Sequence, residues 1–129
     1  IVFISSESAV QLPKEFLHYG VTKTSQLGVS RGLAELTQGT NVTVNSVLPG
    51  PTRSDGVEGF LEALANQAGI SADEMATNFV KTHRPSSLIQ RFASVEEVAN
   101  MGVYVCSKEA SATNGAYAPV RIPMAAAHA

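Results

Sequence analysis

The chain has 129 residues, enough for one domain whose folding removes roughly two-thirds of the unfolded surface from water. With 44% hydrophobic and 16% charged residues it belongs with globular chains and not with disordered ones. A formal net charge of -2, with no basic stripe, excludes electrostatic recruitment of nucleic acid or of an anionic membrane.

Ile1, Val2, Phe3 and Ile4 open a continuous apolar run over residues 1–5, the pattern of a parallel strand buried on both faces. No methionine precedes it. A natural domain seldom begins on its most buried strand, so a fragment of a longer protein is expected. Residues 1–4 are too short for a signal peptide and lack a basic lead. No run reaches the ~18 apolar residues of a membrane span. A loop containing Pro13 follows. Residues 19–36 then turn helical, with Val21, Leu27, Val29, Leu33 and Leu36 as apolar members and Gly39 as the stop. Val42, Val44, Val47 and Leu48 form a second strand, ended by Pro49, Gly50 and Pro51. Strand, helix and strand make a βαβ unit with a right-handed crossover.

Residues 52–93 form an excursion with two short helices, over residues 57–67 and 72–81. The first is amphipathic through Phe60, Leu61 and Leu64. Ser94 precedes Glu97 by three, a capping box, and Val95, Val98, Met101, Gly102 and Val105 continue at helical spacing. Asn114 and Gly115 signal a turn. Residues 120–122 suggest a last short strand, weakened by the flanking Pro119 and Pro123. Residues 125–129 are low in complexity and are expected to fray. With neither repeat nor long linker, residues 1–129 read as one domain.

Cys106 is the single cysteine, which rules out an intrachain disulfide and suits a reducing cytosol. It is expected to be a small buried hydrophobe and not a reactive thiol. His18, His83 and His128 have no metal-ligand spacing, so no metal site is expected. Asp55, Glu58 and Glu62 read as a solvated face. Gly28 and Gly32 form G-x-x-x-G, read as close helix packing, between subunits among the alternatives, and not as membrane association. Glu7 reads as a solvated loop carboxylate in preference to a base.

Tyr19 and Lys23 lie four apart at a helix start, on one face. A cation near a phenol favours the phenolate and is expected to lower its pKa toward neutrality. Such a tyrosine exchanges a proton with a carbonyl or alcohol oxygen. Ser6 sits just past the first strand, where open α/β sheets bind ligands. Taken alone, Tyr19 and Lys23 read more readily as an ordinary helix start with a solvated lysine, and Ser6 as a loop hydroxyl satisfying the backbone.

Taken together, these residues resemble the short-chain dehydrogenase/reductase family. Ile4, Ser5 and Ser6 are similar to its strand-end serine motif. The segment from Tyr19 through Gly20, Val21 and Thr22 to Lys23 fits its Tyr-x-x-x-Lys signature at the usual distance from the serine. Val44, Asn45, Ser46, Val47, Leu48, Pro49 and Gly50 resemble the strand and Pro-Gly turn that follow. Arg91 and Phe92, with Glu96, Glu97, Val98 and Ala99, resemble the segment opening its last long helix. Ala112, Thr113, Asn114 and Gly115 resemble the turn before its last strand. The order and spacing of these motifs over residues 1 to about 115 are a specific signal.

The resemblance implies an α/β fold: a partial doubly wound, Rossmann-like parallel sheet of two to three strands with flanking helices, the carboxyl-terminal half of the family domain. Ser6 would polarise the substrate oxygen, Tyr19 would be the general acid or base, and Lys23 would hold the nicotinamide ribose and tune Tyr19. Pro49 and Gly50 would lie against the nicotinamide. Thr52, with Ser54, would bond its carboxamide or the phosphates. The implied protein is a cytoplasmic NAD- or NADP-dependent oxidoreductase acting on a small carbonyl or alcohol, of the type named 3-oxoacyl-(acyl-carrier-protein) reductase.

The chain also departs from the family. The glycine-rich phosphate loop and the catalytic asparagine would lie upstream of Ile1, so the isolated chain is expected to be inactive and not to bind the cofactor. After Ala116 the sequence leaves the family's usual ending, making residues 116–129 a divergent tail; a reading-frame change is one hypothesis. The first strand would lose its upstream neighbour, and an apolar edge invites pairing, so a homo-oligomer is expected. A second reading is therefore non-enzymatic: an oligomerising fragment or disrupted-gene product with fossil catalytic residues. A third is an unrelated α/β binding domain. Whether the excursion is a mobile substrate lid or a static cap stays open.

Overall fold

A computed structural model of the chain describes residues 1–120. In chain order these form β1 (Val2–Ile4), α1 (Ser8–Gln11), a 3-10 turn (Lys14–Phe16), α2 (Leu17–Leu36), β2 (Asn45–Pro49) and β3 (Thr52–Arg53). There follow α3 (Asp55–Ala68), α4 (Ala72–His83), β4 (Ala93–Ser94), α5 (Val95–Cys106), a second 3-10 turn (Lys108–Ala110) and β5 (Tyr117–Val120).

Three strands make an all-parallel sheet in the order β1-β2-β5. Val2 stands opposite Asn45 and Ile4 opposite Val47; on the other side Ser46 faces Tyr117 and Pro49 faces Val120. β2 is central, and Val44, Val47 and Leu48 are fully buried. The sheet is the α/β arrangement expected from the alternating strand and helix pattern.

β1 corrects one expectation. Ile1 is 62% exposed and Ile4 50%, so the run is not covered on both faces. Among the described residues β1 has one neighbour, β2, and forms the sheet edge. The apolar run reports a strand that suits burial, and the described elements leave it partly uncovered. β5 begins at Tyr117, ahead of the expected residues 120–122, of which 121 and 122 lie outside the described residues, as do 125–129. Pro119 sits inside β5, opposite Leu48. Proline is tolerated there because β5 is, among the described residues, an edge strand, where a missing N–H need leave no neighbour unbonded.

Asn114 and Gly115 set the entry to β5. The Asn114 Oδ1 accepts from Val44 N at 2.8 Å, and Gly115, at φ +72, donates its N–H to the Val44 carbonyl at 2.9 Å. Asn45, fully buried, donates to the Thr113 carbonyl and accepts from Ala116 N.

The excursion leaves and returns at one place, because β3 pairs in parallel with β4, Thr52 opposite Ala93 and Arg53 opposite Ser94. Inside it α3 and α4 pack through Leu61, Ala65, Ala76 and Val80, all buried. Ser71 caps α4 by accepting from Glu74 N at 3.1 Å. Ser94 and Glu97 form the full capping box of α5, and Arg91 grips the Glu97 carboxylate through both terminal nitrogens.

Three further expectations change. Cys106 is exposed: it is the last residue of α5, and Val105 occupies the buried position beside it. Glu58 leaves the expected solvated face to take a two-pronged bond from Arg53, at 2.5 and 2.8 Å. Gly28 and Gly32 meet no close neighbour among the described residues, where a Cβ at either would find nothing within 4 Å, which leaves packing between subunits as the open part of that expectation. Gly20 is the glycine of α2 that does: a Cβ there would stand 2.9 Å from Leu12 Cδ2 and 3.0 Å from the Ser8 carbonyl, so α1 lies tight against α2.

Candidate active site

The pairing of β1 with β2 continues beyond β1. Ser5 N donates to the Val47 carbonyl at 2.8 Å and Glu7 N to the Pro49 carbonyl at 2.9 Å. Residues 5–7 are thereby held against the carboxyl end of β2, with Ser6 between two backbone anchors. The two adjacent serines do different work. Ser5 Oγ donates to the Lys23 carbonyl at 2.9 Å, tying the strand end to α2. Ser6 Oγ accepts from Ser8 N at 3.2 Å, and Ser6 lines a cavity.

α2 brings its residues to the same end of the sheet. The Lys23 Nζ lies 5.7 Å from the centroid of the Tyr19 ring and donates to the Ile4 carbonyl at 3.2 Å and to Gln26 Oε1 at 3.3 Å. The helix is fixed there by Thr24, whose hydroxyl donates to the Ala9 carbonyl at 2.7 Å and the Gly20 carbonyl at 2.9 Å. Tyr19 is 40% exposed. The i, i+4 spacing thus does place phenol and ammonium on one helix face.

The cavity has a volume of about 240 Å³. Its polar wall is Ser6, Glu7, Ser8, Gly50 and Thr52; its apolar wall is Pro51, Val57, Phe60, Phe79 and Phe92; Arg84 completes it. Phe79 organises the apolar side, 6.2 Å from Phe60 in a T-shaped contact and 5.7 Å from Phe92. Thr52 Oγ1 donates to the Gly50 carbonyl at 3.0 Å, bracing the turn after β2. The structure therefore gathers Ser6, Gly50 and Thr52 on one cavity and Tyr19 with Lys23 at the end of β1. Tyr19, Lys23, Pro49 and Ser54 are not among the cavity's lining residues. Pro49 touches the site through its carbonyl bond to Glu7, and Ser54 is the exposed residue ahead of α3.

Glu7 is the largest departure from the sequence reading. It is not a solvated loop carboxylate: its side chain is 3% exposed, and Oε1 accepts from Arg84 Nε at 2.7 Å. Oε2 is buried and has no partner among the described residues. Arg84 follows α4, so the pair links the serine loop to the far end of the excursion. No local pattern announces it, since the partners stand 77 residues apart. The aromatic wall is not legible as a wall in the sequence: Phe60 reads only as part of an amphipathic helix, Phe92 only as part of the segment opening α5, and Phe79 carries no motif.

Near the site's outer rim Arg53 also donates to Asp73 Oδ1 at 2.7 Å. The Arg53 bonds hold the Glu58 carboxyl below the usual carboxylate range. No helix among the described residues is long and apolar enough to cross a membrane.

Comparison with known proteins gives consistent similarities. A family model described as enoyl-(acyl carrier protein) reductase matches residues 1–121. The chain is 49% identical over 115 residues to the uncharacterized oxidoreductase YvrD of Bacillus subtilis, covering 89% of this chain and 44% of that protein. It is 31% identical over 99 residues to the 3-oxoacyl-[acyl-carrier-protein] reductase FabG of Aquifex aeolicus, covering 77% of this chain and 34% of that protein. Among solved structures, L-sorbose reductase from Gluconobacter frateurii, complexed with NADPH and L-sorbose, superposes with a TM-score of 0.83 at 29% identity. That match covers 93% of this chain and 44% of the reductase. The chain thus spans less than half the length of the curated relatives it matches.

Proposed function

Because the chain belongs to the short-chain dehydrogenase/reductase family, we propose that it forms the catalytic and substrate-binding half of an NAD(P)-dependent oxidoreductase acting on a small carbonyl compound or secondary alcohol. The observation that carries this reading is the attachment of Lys23, with Tyr19 beside it, to the end of the strand from which Ser6 emerges.

The residues fit the nicotinamide-ribose end of a dinucleotide. An ammonium carries three donors. Lys23 spends two, on Ile4 and Gln26, and the third serves a ribose hydroxyl. Gly50 and Thr52, past the end of β2, offer a close backbone approach and a hydroxyl for the nicotinamide, with Pro49 and Ser54 flanking them. The pyrophosphate would need a glycine loop at a helix N-terminus after a strand, and no such unit stands among the described residues. Residues 1–129 alone are therefore expected to be inactive, and the activity belongs to a protein that joins them to a nucleotide-binding half.

When bound, the nicotinamide supplies the hydride to the carbonyl carbon or takes it from the alcohol. Ser6 donates a hydrogen bond to the substrate oxygen. Tyr19 gives its phenolic proton to that oxygen in reduction and recovers one in oxidation. Lys23 holds its positive charge beside the phenol and stabilises the phenolate left behind. The NADPH-bound relative and the 3-oxoacyl reductase relative support the cofactor and the carbonyl class. A cytoplasmic location belongs to this reading, supported by the single unbridged cysteine. So does a homo-oligomer, supported by Leu17, Val21 and Val29, all exposed on α2 beside the open Gly28 and Gly32.

The test is ketone reduction by the joined protein. Tyr19→Phe is expected to lower kcat by on the order of 10²-fold or more with the cofactor Kd little changed; undiminished turnover would refute the assignment. Titrating NADH and NADPH into residues 1–129 alone should give no micromolar binding, and such binding would overturn the claim of inactivity.

A further inference from the structure

Glu7 and Arg84 are not used by the proton transfer just described, yet they line the same cavity as Ser6. Glu7 is buried, and a half-satisfied buried carboxylate is costly in a low-dielectric setting. Arg84 satisfies Oε1 but leaves Oε2 without a partner. Arg84 is itself only partly engaged. Its Nε serves Glu7 and its Nη1 donates to the His83 carbonyl at 2.8 Å, while Nη2 has no partner among the described residues. The pair lining this cavity therefore carries one buried carboxylate oxygen and one guanidinium nitrogen that have no partner among the described residues, and its charges cancel.

That combination selects a ligand group by chemistry. A substrate ammonium would meet the Arg84 charge, and a substrate carboxylate would meet the Glu7 charge. Of these three groups the neutral hydroxyl meets neither charge, and it both donates one hydrogen bond and accepts others. Oε2 is closed to solvent in the resting arrangement. The last torsion of a glutamate is broad and two-fold, so a small turn brings an oxygen onto the cavity face. Val57, Phe60, Phe79 and Phe92 would hold the carbon skeleton.

Resting on the reductase reading above, we propose that Glu7 and Arg84 form a subsite for a substrate hydroxyl, so that the enzyme acts on hydroxy ketones. Ser6 and Glu7 line one cavity, so a hydroxyl held by Glu7 shares that cavity with the reacting carbonyl.

The experiment compares 3-hydroxy-2-butanone with 2-butanone, which differ by that hydroxyl, in the protein joined to its nucleotide-binding half. A site built to bond a hydroxyl discriminates strongly against an analogue lacking it. The expected kcat/KM ratio is on the order of 10² or more in favour of the hydroxy ketone. Glu7→Gln, and separately Arg84→Lys, which keeps the charge but not the fork, should each reduce the ratio about 10-fold or more. A ratio near one in the unaltered protein, or equal losses on both ketones in a folded variant, would overturn the proposal. A readout without turnover separates this claim from the reductase reading: the hydroxy ketone, and not butanone, should raise the Tm of the unaltered protein. If that shift is present while neither ketone is reduced, the reductase reading fails and the subsite stands. If ketones are reduced with no such preference or shift, the subsite fails and the reductase reading stands.

Discussion

Replacing Arg84 with methionine removes the guanidinium that satisfies Glu7 and leaves a buried carboxylate without compensation. Breaking a buried ion pair on one side costs about 3–5 kcal/mol when both members are fully desolvated. Here Glu7 is desolvated but Arg84 is 24% exposed, so water offsets part of the loss and the lower end applies, about 3 kcal/mol. Urea denaturation reads this directly. With an m-value of about 2 kcal/mol/M, the midpoint should fall by roughly 1.5 M. The companion variant Glu7→Met combined with Arg84→Met should recover most of that loss, because replacing both charges with apolar groups of similar size removes the uncompensated carboxylate. A midpoint shift below about 0.3 M for Arg84→Met, or no recovery in the double variant, would refute the view that the serine loop and the excursion are joined by a desolvated pair.

Other expectations follow from single contacts. Gly20→Ala places a Cβ 2.9 Å from Leu12 and 3.0 Å from the Ser8 carbonyl, so α1 must shift; stability should fall by about 1–3 kcal/mol in chemical denaturation. Ser94→Ala removes half of the capping box of α5 and should cost about 1 kcal/mol, read by the thermal midpoint. Glu97 is held at about 2, chiefly by its hydrogen bonds from Arg91 and then by the Ser94 backbone. Its folded value lies below its ordinary 4.5, so its contribution is fully present above that value and is lost as pH falls toward 2. Arg91→Met should therefore flatten the stability-pH profile between those limits, and an unchanged profile would remove Glu97 from the acid response. Cys106 should react with a thiol reagent in the folded protein at a rate near that of the unfolded chain, whereas protection would restore the buried assignment.

Much of the fold was legible because it is written in local signals. The helix ending at Leu36, the Ser94 capping box, and the turn at Asn114 and Gly115 each rest on neighbours a few residues apart, and each stands where the pattern placed it. The i, i+4 spacing of Tyr19 and Lys23 likewise fixes a shared helix face before any tertiary contact forms. What stayed hidden depends on distant partners. Glu7 looks like a loop carboxylate until Arg84 arrives from 77 residues away. Cys106 and Val105 share an apolar run, and helix rotation alone decides which one faces inward. Ile1 and Ile4 have the composition of a covered strand, but cover is a property of neighbours and not of the strand. The early start of β5 reflects pairing with β2, which overrides the poor strand propensity of Pro119.

The claim on which the account rests is that Ser6 and Tyr19 serve one reacting oxygen beyond the carboxyl ends of β1 and β2. A crystal structure of the joined protein with NADPH or NADH and a slowly turned-over hydroxy ketone measures this directly. The account predicts that Ser6 Oγ and Tyr19 Oη both stand about 2.6–3.2 Å from the ketone oxygen. A ketone oxygen bonded to neither hydroxyl, or a ligand seated away from the Ser6 cavity, would contradict it.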